Sequence, residues 1–372
     1  MINFAYSYLS TLFCRGNKPV RINYSRRLSC ISAMLRQPVK KIDSSIIREK
    51  VNEKIILHSF ILGDKKRQII EKVRLNNSSK LSPEFKYYCS DFPKKGKEWK
   101  SPNVIGLVFD EDYFSIFIEY VAMGGEFRKI RHSLDDYCQA AYCLGRMNAN
   151  LFSAQNDFKK GGSFVLKKDP QLDLLEEKIR SFREIVISEN LISMGEQDNL
   201  FYSLRRFEAA FKGSRYLFDS LPVTFCHGDA NRGNLFLAND AYEIMLIDWE
   251  RVRLANFGYD LAQLLYSTFW GSMSYGSIRD GSLMEEFQPA VLQSYHRGVG
   301  RSDISLEVCR LGLDLRVIYF QLLTKFPVAL AKWHAAEKKI ISDKQRLEQI
   351  RINWLVMKRK LDAVSVTINS IG

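Results

Sequence analysis

The stretch FCHGDANRGNLFLANDAYEIMLIDWE, Phe225 to Glu250, decides the reading of this chain. It sets a carboxylate (Asp229), an amide (Asn234) and a second carboxylate (Asp248) at spacings suited to gripping a metal-bound nucleotide. Leu235 to Leu237 and Ile244 to Ile247 are apolar runs bounded by the turn-forming Asn239-Asp240, the pattern of a buried β-hairpin. Asn234 and Asp248 are equally far from Ala241. A regular hairpin would therefore set them opposite each other at its open end, with Cα atoms about 4.5–5.5 Å apart. Two oxygen-bearing side chains held that close can ligate one hard cation such as Mg2+, leaving positions for phosphates and water. Asp229 projects from the loop entering the hairpin, where it can orient an acceptor hydroxyl and take its proton. The arrangement points to phosphoryl transfer, whose catalysis is mostly positioning and charge neutralisation. A polar turn beside an ordinary buried hairpin is the blander reading of the same residues.

HGDANRGN followed by IDWE resembles the signature of the aminoglycoside phosphotransferase and choline kinase-like family, which shares the protein-kinase fold. The offset from Asp229 to Asn234 is similar to that of the kinase catalytic loop HRDxxxxN, and Asp248 takes the place of the metal-binding Asp of DFG. The resemblance implies an α+β, bilobal protein-kinase-like fold with a small β-rich N-lobe and a large, mainly helical C-lobe. It also implies that Asp229 is the catalytic base, that Asn234 and Asp248 hold Mg2+, and that ATP or GTP is the phosphate donor.

Working outward, Lys72 in IIEKV sits where the family's third strand places the lysine that contacts the nucleotide α/β-phosphates, and Glu84 on the following helix is its expected ion-pair partner. Lys66, Arg67 and Arg74 compete for that role, and a strand lysine is more often a solvated residue. No GxGxxG precedes Lys72, so the phosphate-covering loop must use other backbone amides or be arranged differently. Glu119-Tyr120-Val121 is the expected hinge, with Glu119 and Val121 offering backbone groups to the adenine edge; the end of an edge strand is the other reading. Arg232 either neutralises the transferring phosphate or points outward to a surface carboxylate. His227 is expected to be a hydrogen-bonding scaffold rather than a base. Glu250 is either an assistant to the metal or acceptor, or an exposed strand-end carboxylate. Asp260, in GYDLAQLL, is placed to cap the following helix, and the resemblance implies that it braces the catalytic loop.

Lys54 to Leu62 and Arg67 to Leu75 read as strands joined at Gly63-Asp64, and Ser82-Pro83-Glu84 as a helix start. Asn103 to Asp110 and Tyr113 to Val121 form a second strand pair, and Gly124-Gly125 ends the small lobe. Helical periodicity follows in Leu134 to Leu151, Asp173 to Ile187, Asn199 to Phe218, Asp260 to Phe269, Glu286 to Tyr295 and Glu307 to Leu323. It also runs from Val328 to Val364, with a break expected near Ser342-Asp343. The expected organisation is a basic N-terminal extension (1–45), a small nucleotide-binding lobe (46–122) and a large catalytic and acceptor-binding lobe (123–372).

A chain of 372 residues exceeds the usual single core, which suits two lobes. Its most hydrophobic region, Val104 to Val121, is broken by Asp110, Glu111, Asp112 and Glu119, which argues against a membrane span. Seven scattered cysteines without a CxxC pair argue against a disulfide framework or zinc site and for a reducing, cytoplasmic setting. The first hundred residues hold 22 Lys and Arg against 8 Asp and Glu, so the whole surplus behind the net +13 lies there. Such a field can attract nucleotide, an anionic membrane surface or nucleic acid, or be a solvated face; no specific nucleic acid is predicted. Residues 1–40, with seven basic and no acidic residues, suit a retained arm, a transit peptide or an interfacial helix.

The expected function is an ATP/GTP-dependent phosphotransferase acting on a hydroxyl of a small molecule: a sugar, an amino alcohol or an aminoglycoside-like compound. A catalytically silent pseudokinase is the alternative from another class, disfavoured by the presence of Asp229, Asn234 and Asp248 together. A protein kinase is disfavoured because no APE-like segment follows Asp248.

Overall fold

Alternating burial along the first half of the chain builds a sheet, and helical periodicity along the second builds a bundle. The computed structural model describes residues 24–39, 42–50, 53–75, 83–90, 96–109, 113–121, 126–161, 173–188, 194–239, 242–267, 281–327 and 344–371. It shows a mixed α+β chain of two units, Met1–Lys94 with Ser101–Phe127, and Lys95–Lys100 with Arg128–Gly372.

The first unit opens with α1 (Tyr24–Leu35) and three strands, β1 (Ile42–Lys50), β2 (Glu53–Leu62) and β3 (Lys65–Leu75). Then come α2 (Pro83–Cys89), the short β4 (Trp99–Lys100) that belongs to the second unit, β5 (Val104–Phe109) and β6 (Tyr113–Glu119). The five-stranded sheet has the order β1-β2-β3-β6-β5, antiparallel throughout. Because successive strand residues point to opposite faces, Ile69, Glu71 and Val73 are buried on one side of β3 and Lys72 faces the other. On the first face Ile31 of α1 joins Phe60, Ile69 and Phe117 in one apolar cluster. The carboxylate of Glu71, buried there, is satisfied by Ser115 Oγ and His58 Nε2, both at 2.8 Å, and His58 Nδ1 meets Ser44 Oγ at 2.7 Å. The opposite face carries the Lys72 contact with α2 described below.

Two findings adjust the expected organisation. Strand β1 begins at Ile42, inside the segment assigned from composition to a basic extension, and α1 of that extension is part of the first unit's core. Residues 95–100 leave the small lobe and join the second unit, because β4 pairs in parallel with the strand Ile244–Leu246.

In the second unit β7 (Phe127–Lys129) leads to α3 (Leu134–Gly161), α4 (Leu175–Ser188), α5 (Met194–Gly213) and α6 (Arg215–Ser220). The single helix expected over Asn199 to Phe218 is two helices, parted at Gly213-Ser214. Strands β8 (Val223–Cys226), β9 (Leu235–Ala238), β10 (Ile244–Leu246) and β11 (Arg253–Asn256) follow; β4, β10, β9 and β7 form one sheet, and β8 pairs with β11. The chain then forms α7 (Tyr259–Tyr266), α8 (Gly281–Val299), α9 (Leu306–Val317), a π-helical continuation (Ile318–Lys325) and α10 (Lys344–Ile371). Helices α3 and α8 cross at Gly145 and Gly298. A Cβ at either would lie 2.2 or 2.1 Å from a carbonyl of the other helix, so only glycine permits this approach. Among the described residues no helix is long and apolar enough to cross a membrane, and five cysteines are free thiols. The expected Gly124-Gly125 end of the small lobe and the break near Ser342-Asp343 lie outside the described residues.

Candidate active site

Strand β8 delivers the chain into the loop His227 to Asn234, and a buried frame fixes that loop. The two oxygens of Asp260, in the first turn of α7, accept the backbone N–H groups of His227 (2.9 Å) and Gly228 (2.8 Å). Asp260 therefore braces the loop. Burial pushes its carboxyl above the usual carboxylate range, and the neighbouring His227 and these two amides pull the other way. Asn148 of α3 donates to Phe225 O (2.8 Å) and accepts from Tyr295 OH (2.7 Å), tying the end of β8 to α3 and α8. Gly228 has φ +81°, and a Cβ there would stand 2.0 Å from Arg251 O, so the loop enters through a conformation and a gap that only glycine fits.

His227 is fully buried. Its Nε2 donates to Ile247 O (2.9 Å) and its Nδ1 accepts from Asp229 N–H (3.2 Å), which fixes the neutral Nε2–H tautomer. Burial holds its pKa below the usual value, against the fields of Asp260, Asp229 and Asp248. Trp249 packs on the imidazole ring at 4.5 Å between centroids, and its Nε1–H donates to Leu246 O (3.0 Å).

The side chain of Asp229 is 23% exposed, enough to be reached by a substrate. Its Oδ1 accepts from Asn231 Nδ2 (3.0 Å), and Asn234 Nδ2 donates to its main-chain oxygen (3.1 Å) and, more weakly, to Oδ2 (3.4 Å). Because the Asn234 amide spends its N–H groups on Asp229, its Oδ1 is the atom left to accept a cation or donor.

The hairpin register corrects the sequence expectation. Leu235 pairs with Leu246 and Leu237 with Ile244, and Ile247 N–H donates to Asn234 O at 2.9 Å. Asn234 thus faces Ile247, not Asp248. The ladder closes at Ala238 N–H to Glu243 O (2.9 Å), so each partner is shifted by one residue from a register centred on Ala241; Asp240 and Ala241 themselves lie outside the described residues. A slip of one residue would turn Asp248 to the other face of a regular strand. Instead Asp248 takes left-handed backbone angles (φ 65°, ψ 61°), which end the strand and lead into the 3-10 turn Trp249–Arg251. Asp is among the few non-glycine residues that tolerate this region.

Other expected residues are placed as follows. Lys72 Nζ donates to Glu84 Oε1 at 2.6 Å, with the two side chains 11% and 2% exposed. Of the competitors, Arg74 pairs with Glu53 (2.5 Å), while Lys66 and Arg67 are exposed. The Glu119 N–H donates to Asn103 O (2.9 Å), so that amide is already used within the first unit; Val121 is half-buried just beyond β6. Arg232 donates twice to Ile130 O (3.2 and 2.8 Å) and also contacts His132, so its guanidinium clamps the segment before α3 and pairs with no surface carboxylate among the described residues. A cation the sequence did not single out, Arg251, comes within ion-pair reach of Asp229, its Nε 3.9 Å from Asp229 Oδ2. Glu250 is half-buried in the 3-10 turn.

Among the described residues no three His, Cys, Asp or Glu side chains form a cluster able to hold a metal. The Asn234 amide oxygen and the Asp248 carboxylate are hard oxygen donors, the kind of one or two protein ligands that Mg2+ takes beside water and phosphates.

Comparison with known proteins bears on this segment and on the fold. The phosphotransferase enzyme family matches residues 188–301, which include the whole loop and hairpin. No curated protein matches. Among solved structures, choline kinase from Cryptosporidium parvum Iowa II is 16% identical, covers 88% of this chain and 92% of its own, and superposes with a TM-score of 0.54. A spectinomycin phosphotransferase solved with ADP and spectinomycin is 13% identical, with 91% and 99% covered and a TM-score of 0.45. The Plasmodium vivax ethanolamine kinase is 13% identical, with 95% and 93% covered and a TM-score of 0.44. Residues 188–301 thus match the phosphotransferase enzyme family, and the fold of the chain is the kinase-like fold of choline kinase.

Proposed function

We propose that the chain is a small-molecule phosphotransferase that moves the γ-phosphate of ATP or GTP to a hydroxyl of its acceptor. The observation that carries this reading is the Asp229–Asn234 pair, held in one rigid loop by Asp260 and His227, inside the segment that matches the phosphotransferase enzyme family. Asp229 orients the acceptor hydroxyl and takes its proton as the phosphoryl group transfers. Asn234, through Oδ1, and Asp248 would hold Mg2+, which when bound neutralises the phosphate oxygens. Lys72, fixed by Glu84, contacts the nucleotide phosphates. No observation favours the silent pseudokinase, and none supports attachment to a membrane surface.

Arg232 is assigned a positioning role. Its donations to Ile130 hold the loop against the segment preceding α3. A screen of sugars, amino alcohols and aminoglycosides with ATP and with GTP, read as a mass gain of one phosphate on the acceptor, tests the reading. A phosphorylated alcohol supports it. Nucleotide binding without any phosphorylated product across the panel speaks for the silent alternative.

A further inference from the structure

A second site lies in the second unit, at the other end of the catalytic hairpin. A pocket of about 970 Å³ opens between the first turns of α3, the middle of α8 and the hairpin tip. That size falls within the range of small-ligand sites. Strand β9 has four residues rising about 3.3 Å each, so the tip stands on the order of 13 Å from the Asn234 end. None of Asp229, Asn234 and Asp248 lines this pocket.

Glu98 marks it as a built site. The residue is 7% exposed and held at both ends: its main-chain oxygen accepts from Ile244 N–H (3.0 Å), and its Oε1 accepts from Arg146 Nε (3.2 Å). Its Oε2 is buried and receives no hydrogen bond. A buried carboxylate oxygen left without a donor costs stability, and Glu98 is one of the residues lining the pocket. Tyr142 and Tyr242, in edge-to-face contact at 5.8 Å, provide an aromatic wall. The charged lining balances: Glu98 and Asp135 against Lys97 and Arg297. With Glu98 already paired with Arg146, the lining is mixed in sign, and no single-sign field selects a polyvalent cation. A ligand with several hydroxyls would donate hydrogen bonds to the Glu98 and Asp135 carboxylates, accept them from Lys97 and Arg297, and lay a ring face on tyrosine.

We propose that this pocket binds a neutral polyhydroxylated ring, a sugar or cyclitol, at a site separate from phosphoryl transfer, with Glu98 Oε2 as its buried acceptor. The inference does not rest on the assignment of Asp229. The test is binding of methyl α-D-glucopyranoside, myo-inositol and spermidine to the full chain, followed by ligand-observed NMR and calorimetry. At least one of the two polyols is expected to bind, and spermidine is not. Glu98→Gln turns an amide donor toward the pocket once Arg146 takes its oxygen, and should weaken polyol binding at least about tenfold, the scale of a hydrogen bond to a charged group. Ala290→Trp, which fills the pocket from α8, should abolish binding and decides the matter if the Glu98 variant fails to fold. Asp229→Asn should leave polyol binding unchanged. Spermidine binding in place of the polyols, binding of none of the three, or polyol binding undiminished in a folded Ala290→Trp variant would overturn the proposal.

Discussion

The Gly228 amide donates to Asp260 Oδ1 at 2.8 Å, and through this bond the first turn of α7 sets the position of a loop 32 residues earlier in the chain. The loop that carries Asp229, the proposed base, is therefore braced by a helix, and loop sequence alone does not determine its geometry. Asp260→Asn replaces an acceptor of two amides by a group with one oxygen, leaving one buried N–H without a partner. We expect a loss of about 1–3 kcal/mol in stability and a larger proportional fall in kcat than in nucleotide affinity. Chemical denaturation combined with steady-state kinetics checks both.

Gly228→Ala should be more disruptive than its size suggests. The left-handed backbone costs an L-residue about 1–2 kcal/mol, and the added Cβ would meet Arg251 O at 2.0 Å, so the loop must shift as well. We expect more than about 2 kcal/mol of destabilisation and loss of turnover. A variant with wild-type melting temperature and activity would contradict the geometry of this loop.

The imidazole of His227 gives the protein an acid-sensitive element. Its folded pKa is held below the usual value of 6.5 by burial, so the unfolded chain takes up its proton first as pH falls. The stabilisation is complete above about pH 6.5 and is lost as pH drops from there toward the folded pKa, with a slope of up to about 1.4 kcal/mol per pH unit. Asp260 acts with the opposite sign: its folded pKa is raised by burial, so its term favours the folded state as pH falls through that pKa toward 3.8. Urea midpoints between pH 7.5 and 5.5 should fall for the wild type and flatten in His227→Gln.

Lys72 and Glu84 are both largely buried, and removing one partner leaves an unpaired charge. Lys72→Met should cost about 3–5 kcal/mol. The double variant with Glu84→Leu should recover much of that stability without recovering nucleotide binding. Recovery of nucleotide affinity in the double variant would leave Lys72 a structural role only.

Much of this architecture is legible in the sequence, because it is written in short-range patterns. The β2–β3 hairpin, the helix carrying Glu84 and the apolar strands flanking Asn239-Asp240 follow from periodicity and turn residues. What was not legible depends on geometry that a one-residue change overturns. The register that sets Asn234 opposite Ile247 is fixed by the loop between Ala238 and Glu243, and the strand-ending left-handed conformation of Asp248 has no signature in IDWE. The approach of Arg251 to Asp229 follows from that turn and was equally hidden. Strand β1 does show alternation, with Ile42 buried, Asp43 exposed, Ser44 half-buried and Ser45 exposed, but the surrounding basic composition drew the boundary at 45.

The central claim is that Asp229 takes the acceptor proton during phosphoryl transfer, and Asp229→Asn tests it most directly. With an acceptor identified by the screen, the variant should bind nucleotide as the wild type does by calorimetry, while its rate of phosphorylated product, followed by mass, falls by about 10²–10⁴, the usual contribution of a positioned base. Product formed at the wild-type rate by a folded Asp229→Asn variant would contradict the account.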